Sequence, residues 1–162
     1  MNLYEQNKKD IELYNFFVIN CPVRKKNKEY VSEKGRKLNV YLDYSKSDYL
    51  KLISAIKRDL NNNVRWCNCS EEVEGAEKDF KSQNGYKDDK FEYIAILDKN
   101  DHNKVNYILY MIRNSLAHAD FEIDGNIYRF RSEFDQKCKA MIRLKYKTVM
   151  RIKERYLNKD FS

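Results

Sequence analysis

Three residues in one short stretch have the side-chain types needed for phosphate chemistry without a metal. They are Arg113, Asn114 and His118, set in Ile112-Arg113-Asn114-Ser115-Leu116-Ala117-His118-Ala119. Histidine titrates close to neutral pH, so His118 can act as acid or base. Arginine stays protonated and presents a planar fork of donors that matches phosphate oxygens, which suits Arg113 to holding an anion. Asn114 can orient His118 or bind phosphate itself. Arg113 and His118 are the only residues between Tyr107 and Ala119 that carry or can take up charge at neutral pH. A buried, unpaired guanidinium costs several kcal/mol, so Arg113 is paired internally, exposed at an edge, or turned toward a ligand or partner. The plain structural alternative is a helix end with a hydrogen-bonded histidine and an ion-paired arginine.

Position on a helix limits what these groups can do together. Val105, Ile108, Leu109, Ile112 and Leu116 recur at helical steps, predicting a helix over about 103–119. Asn114 and His118, four apart, share a face. Arg113 and His118, five apart, sit roughly 140° around the axis, so one helix does not bring them together well, whereas two copies meeting in a dimer could supply both groups to one cleft.

The other elements follow the same periodicity. Residues 3–19 read as a helix ended by Cys21-Pro22, and residues 23–37 as a basic stretch that is a solvated loop or an arm for nucleic acid. A second helix starts at Ser45 or Ser47 and carries Tyr49, Leu52, Ile53, Ile56 and Leu60 before the Asn61–Asn63 stop. Residues 61–90 look like a polar insertion within one domain spanning 1–162, and Phe91–Leu97 is a short apolar segment. Asp124-Gly125 suits a type I′ turn in a hairpin near 121–131. A long last helix over about 135–157 would put Cys138, Met141, Ile142, Val149, Ile152 and Tyr156 inward. It would put Lys139, Arg143, Lys147 and Arg151 on basic outer faces, as candidate RNA contacts. The expected fold is therefore mostly α: a bundle of four to five helices with one small hairpin. One proline and four glycines in 162 residues agree with long helices.

Net charge is +7, with 35% charged residues. That balance favours polyanion partners, or simply a Lys-rich solvated surface. Cys21, Cys67, Cys69 and Cys138 lack disulfide-scaffold spacing. Cys67-Asn68-Cys69 is half a metal site with no second pair to complete it, and His102 stands alone. No metal or other cofactor is expected. No secretory pattern or membrane-spanning stretch is evident, and a cytoplasmic location is the expectation. Tyr93, Tyr107, Tyr110 and Tyr128 are read as packing residues rather than base-stacking ones.

Arg113, four intervening residues and His118, with Asn after Arg, a preceding apolar helix, a following hairpin and a long C-terminal helix, resemble the HEPN superfamily of helical ribonucleases. The resemblance covers about 103–157. A tyrosine two residues after the histidine marks one toxin branch, and here that position is Asp120. The resemblance implies a metal-independent endoribonuclease working as a homodimer through the Arg113–His118 helix. It would leave 2′,3′-cyclic phosphate and 5′-hydroxyl ends on tRNA or mRNA, as a toxin or antiviral-defence effector with a cognate antitoxin or defence partner. Arg113, Asn114 and His118 would be its catalytic residues. The alternative is an inactive basic module, an adaptor or inhibitor that binds RNA or a protein.

Overall fold

Ser45 caps the clearest helix in the chain. In the computed structural model, which describes residues 3–20, 24–26, 29–31, 44–86, 90–98 and 104–162, its hydroxyl accepts from the Asp48 amide while the Asp48 carboxylate accepts from the Ser45 amide. Helix α2, Lys46–Asp59, follows and buries Leu52, Ile53, Ala55 and Ile56. It ends where Asn61 and Asn62 take left-handed backbone angles, as the asparagine run predicts. Before it come helix α1, Leu3–Tyr14, continued by a π-helical segment, Asn15–Asn20, and the short antiparallel strands β1, Arg24–Lys26, and β2, Glu29–Val31. The Cys21-Pro22 stop, His102 and most of the rest of the basic stretch fall outside the described residues.

The expected helical bundle is replaced by an α/β fold around a five-stranded mixed sheet. Its strands are β3 (Val64–Cys67), β4 (Tyr93–Leu97), β5 (Phe121–Asp124), β6 (Ile127–Phe134) and β7 (Lys137–Lys145), in the order β3-β4-β7-β6-β5. The supposed polar insertion at 61–90 supplies the first strand and the helix of a β-α-β unit. Strand β3 runs parallel to β4, joined through helix α3, Ser70–Gln83, which buries Val73, Ala76 and Phe80. The apolar segment at 91–97 is the buried strand β4.

The second correction falls on the last helix. Residues 137–145 form β7, and only Tyr146–Asn158 form a helix, α5. Asp135 and Gln136, both at positive φ (51° and 62°), make a two-residue turn that joins Phe134 to Lys137. Ala140, Ile142 and Leu144 alternate into the core with a strand's period of two. Lys139 is an extra residue in the ladder, since Glu133 faces Cys138 and Ser132 faces Ala140. This bulge turns Cys138 to the opposite face from Ala140.

The hairpin near 121–131 is present as β5 and β6. Its two turn residues are Gly125 and Asn126, and of these only Gly125 (φ 62°) is at positive φ. That is a type II′ pattern rather than the expected I′.

One sheet face and helices α2, α5 and α4 (Lys104–Ala117) enclose the main core, with Ile94, Ile96, Phe130, Ile142 and Leu144 fully or almost fully buried among Ile56, Ile108, Ile112, Val149 and Ile152. The other face meets α3 through a smaller cluster of Cys67, Val73, Ala76, Phe80, Phe91 and Tyr93. No helix among the described residues is long and apolar enough to cross a membrane.

Candidate functional site

Helix α4 is central. Eight of its residues are buried: Val105, Tyr107, Ile108, Leu109, Met111, Ile112, Ser115 and Leu116. It packs on β6 and β7, and also against α1, α2 and the π-helical segment. What remains accessible is the exposed Lys104 at its start and a stripe in which Asn106, Tyr110, Arg113, Asn114 and Ala117 are half-buried, and His118, just past the helix, is exposed. All three motif residues are thus at least partly accessible, Arg113 and Asn114 on the helix and His118 just beyond its end. The buried majority of the helix is already engaged inside its own chain, so the structure does not offer α4 as a broad dimer face.

Three of the last four carbonyls of α4 are capped by backbone amides. The His118, Ala119 and Asp120 amides donate to the carbonyls of Asn114, Leu116 and Ser115 at 3.0, 3.2 and 2.8 Å. The last two bonds, with Ala119 at φ 52°, form a Schellman motif in which alanine stands where glycine is usual. The buried Ser115 hydroxyl bonds the carbonyls of Met111 (3.1 Å) and Arg131 (2.7 Å), and the Arg131 amide donates to the Asp120 carbonyl at 3.1 Å. The helix end is thus latched to β6, which holds His118 at a defined place on the surface.

Arg113 and Asn114 are brought together: Arg113 Nη1 donates to Asn114 Oδ1 at 2.8 Å. The Arg113 Nε is buried and has no hydrogen-bond partner. Among the described residues no carboxylate lies within ion-pair distance of this guanidinium, in contrast to Arg65, Arg129, Arg131, Arg143, Arg151 and Arg155, which all have one. Of the three placements open to Arg113, the internally ion-paired one is not found among the described residues. Among the described residues no side-chain hydrogen bond orients His118, and the Asn114 Oδ1 is taken up by Arg113.

The four basic residues expected on the outer faces of one helix are not on one helix. Lys139 and Arg143 belong to β7, and Lys147 and Arg151 to α5. Arg143 is 4% exposed and pairs with Glu77 at 3.0 Å, so it is no surface contact. Lys139 is half-buried, with its ammonium 4.9 Å from the centre of the Phe134 ring. Lys147 and Arg151 are exposed and four apart on α5, and Arg151 sits 3.6 Å from Asp59. Tyr93, Tyr107 and Tyr128 are buried, as packing residues should be, and Tyr110 is half-buried.

Sequence reasoning missed a charged cluster on the α3 face. Glu77 Oε1 accepts from Arg143, and Glu77 Oε2 from Arg129 at 2.7 Å and from the Tyr93 hydroxyl at 3.4 Å. Its members lie up to 66 residues apart, so no local spacing signals it. Burial, above all, pushes the Tyr93 phenol up, and Glu77 adds to the shift. The thiols divide by exposure. Cys67 and Cys138 are buried, and burial raises both, Cys138 to about 11, whereas Cys69 is exposed. Among the described residues no three His, Cys, Asp or Glu side chains converge as a metal site requires.

No family model, curated protein or solved structure matches the chain. The HEPN resemblance therefore rests on the residues of the motif itself, and the helical bundle it implied is not the fold.

Proposed function

We propose that this protein binds RNA, with the Arg113–Asn114 pair at the open edge of α4 as its phosphate-holding point. The observation that carries this is the guanidinium itself. It is half-buried and oriented by Asn114, with Nε buried and unbonded and no carboxylate partner among the described residues. A bound phosphate supplies the missing counter-charge and acceptor oxygens. The negative end of the α4 dipole opposes an anion there by about 0.3–1 kcal/mol. Hydrogen bonds to a charged partner are worth about 1.5–3 kcal/mol, so the arginine outweighs the dipole. The chain's net charge of +7 adds non-specific attraction that falls with salt.

One observation favours a second reading, metal-independent cleavage: His118 is exposed just past the end of α4, five residues from Arg113, where an RNA 2′-hydroxyl could reach it. That reading still lacks a second proton-transfer group, and the dimer expected to supply it would have to form on the narrow exposed stripe of α4. A single experiment separates the two. Total tRNA is incubated in EDTA with wild type, Arg113→Ala and His118→Ala, and both retention and end groups are read. Binding lost only in Arg113→Ala, with intact RNA throughout, is the expected result. Cyclic-phosphate ends that vanish in His118→Ala would make the protein a ribonuclease. Equal retention by all three proteins would remove the site.

A further inference from the structure

Helix α1 is amphipathic in the inverse sense. Its inward side is polar: Gln6 Nε2 donates to the Tyr128 hydroxyl at 2.7 Å, that hydroxyl donates to Asp10 at 2.9 Å, and the Tyr146 hydroxyl donates to Glu12. Lys9 lies over the Tyr146 ring at 4.8 Å. Leu13 is the one residue of the helix that is fully buried. The large apolar residues point out instead, with Leu3, Tyr4, Ile11 and Tyr14 at 76, 78, 60 and 42% exposure. They leave a coherent stripe: Tyr4, Asn7, Ile11 and Tyr14 follow the alternating three- and four-residue steps of a coiled-coil seam, with Leu3 beside it.

We infer that the outward stripe of α1 is a self-association surface, on which the α1 helix of a second copy packs. Three features point to a second copy. The seam spacing is that of helix-on-helix packing. Asn7, exposed at its centre, is the kind of polar seam residue that bonds its own counterpart and fixes register. Two copies of the stripe together cover on the order of 1,000 Å², the lower bound for a specific interface. The helix is already formed and anchored by its polar side, so association needs no folding step. This surface is separate from the α4 stripe, and it replaces α4 as the place where two copies meet.

The test is sedimentation of the full chain from micromolar to millimolar concentration, for wild type, Tyr4→Glu/Ile11→Glu and the control Phe134→Glu. Phe134 is 63% exposed at a hairpin end on the sheet. The expected result is a concentration-dependent dimer that weakens about tenfold or more in the double variant and persists in the control, with unchanged circular dichroism. Ile11→Cys is expected to form a disulfide-linked dimer under mild oxidation, a readout that does not depend on the charged variant folding. A monomer at all concentrations without cross-linking, or a dimer indifferent to Tyr4→Glu/Ile11→Glu, would overturn the inference. So would a monomer that pellets with anionic vesicles through the same residues, since the occupant would then be a lipid surface.

Discussion

The two faces of the sheet are built from different physics. Toward α2, α4 and α5 the sheet presents the apolar side chains Ile94, Ile96, Phe130, Ile142 and Leu144, and the buried ion pair of this layer, Arg155 with Asp59, joins α5 to α2 rather than to the sheet. Toward α3 it presents Tyr93, Arg129, Arg131 and Arg143, matched by Glu74 and Glu77 on the helix, with a small apolar cluster alongside. The first face draws its stability from area removed from water. The second depends on keeping every buried charge answered, because an unanswered one costs more than the pair contributes. The same contrast isolates Arg113, the arginine on the first face's central helix that no described carboxylate answers.

Substitutions on the two faces should differ in their cost. The largest effect is expected on the apolar face: Ile142→Ala, at 1% exposure, should lower unfolding free energy by about 3–4 kcal/mol in urea titration. A loss below 1 kcal/mol would mean the face is not a packed core. On the charged face Glu77→Gln should cost about 2 kcal/mol, less than a fully buried pair because Glu77 keeps 26% side-chain exposure while Arg143 keeps 4%. Replacing Arg143 as well, by Met, should recover part of that loss. No recovery in the double variant would show that the charge of Arg143 is not what Glu77 answers.

The thiols give a pH-dependent probe of the α3 side. Burial raises Cys138 from the ordinary value of 9.0 to about 11. The folded state therefore holds the thiol proton more tightly than the unfolded one. This contribution is complete below pH 9 and fades as pH rises through about 11. Alkaline unfolding curves of wild type and Cys138→Ala should converge over that window, and a constant gap would refute the burial argument. The smallest effect belongs to the helix end near the site. Ala119→Gly should raise stability by about 0.5–1 kcal/mol, since glycine takes positive φ without strain. A loss instead would mean that the Schellman cap does not form.

Much of the first face was legible because its helices repeat apolar residues at helical steps. Leu52, Ile53 and Ile56 in α2 and Ile108, Ile112 and Leu116 in α4 are where the spacing puts them. The hairpin of β5 and β6 announced itself through Asp124-Gly125. Strand β7 did not. It enters through Asp135-Gln136, a two-residue turn without glycine, and runs into α5 at Tyr146 with no breaker between. Residues 135–157 consequently read as one helix. The alternation of Ala140, Ile142 and Leu144 was the available signal, obscured by the extra residue Lys139. Strand β3 is four residues long, and α3 buries just three side chains among many charged ones, so neither has a strong pattern.

At the site, helix periodicity placed Arg113, Asn114 and His118 on one segment but could not say what Arg113 meets. Its freedom from carboxylates is a property of the tertiary fold, as is the burial of Arg143 against a glutamate 66 residues away. Local sequence carries no information on either.

A phosphate held by Arg113 would show in the salt dependence of RNA binding. Wild type and Arg113→Gln are titrated with one RNA across a series of salt concentrations. The expected result is weaker binding by the variant at every salt concentration, with the log–log slope reduced by about one ion. Identical affinities and slopes would contradict the account and leave Arg113 as a structural residue at the end of α4.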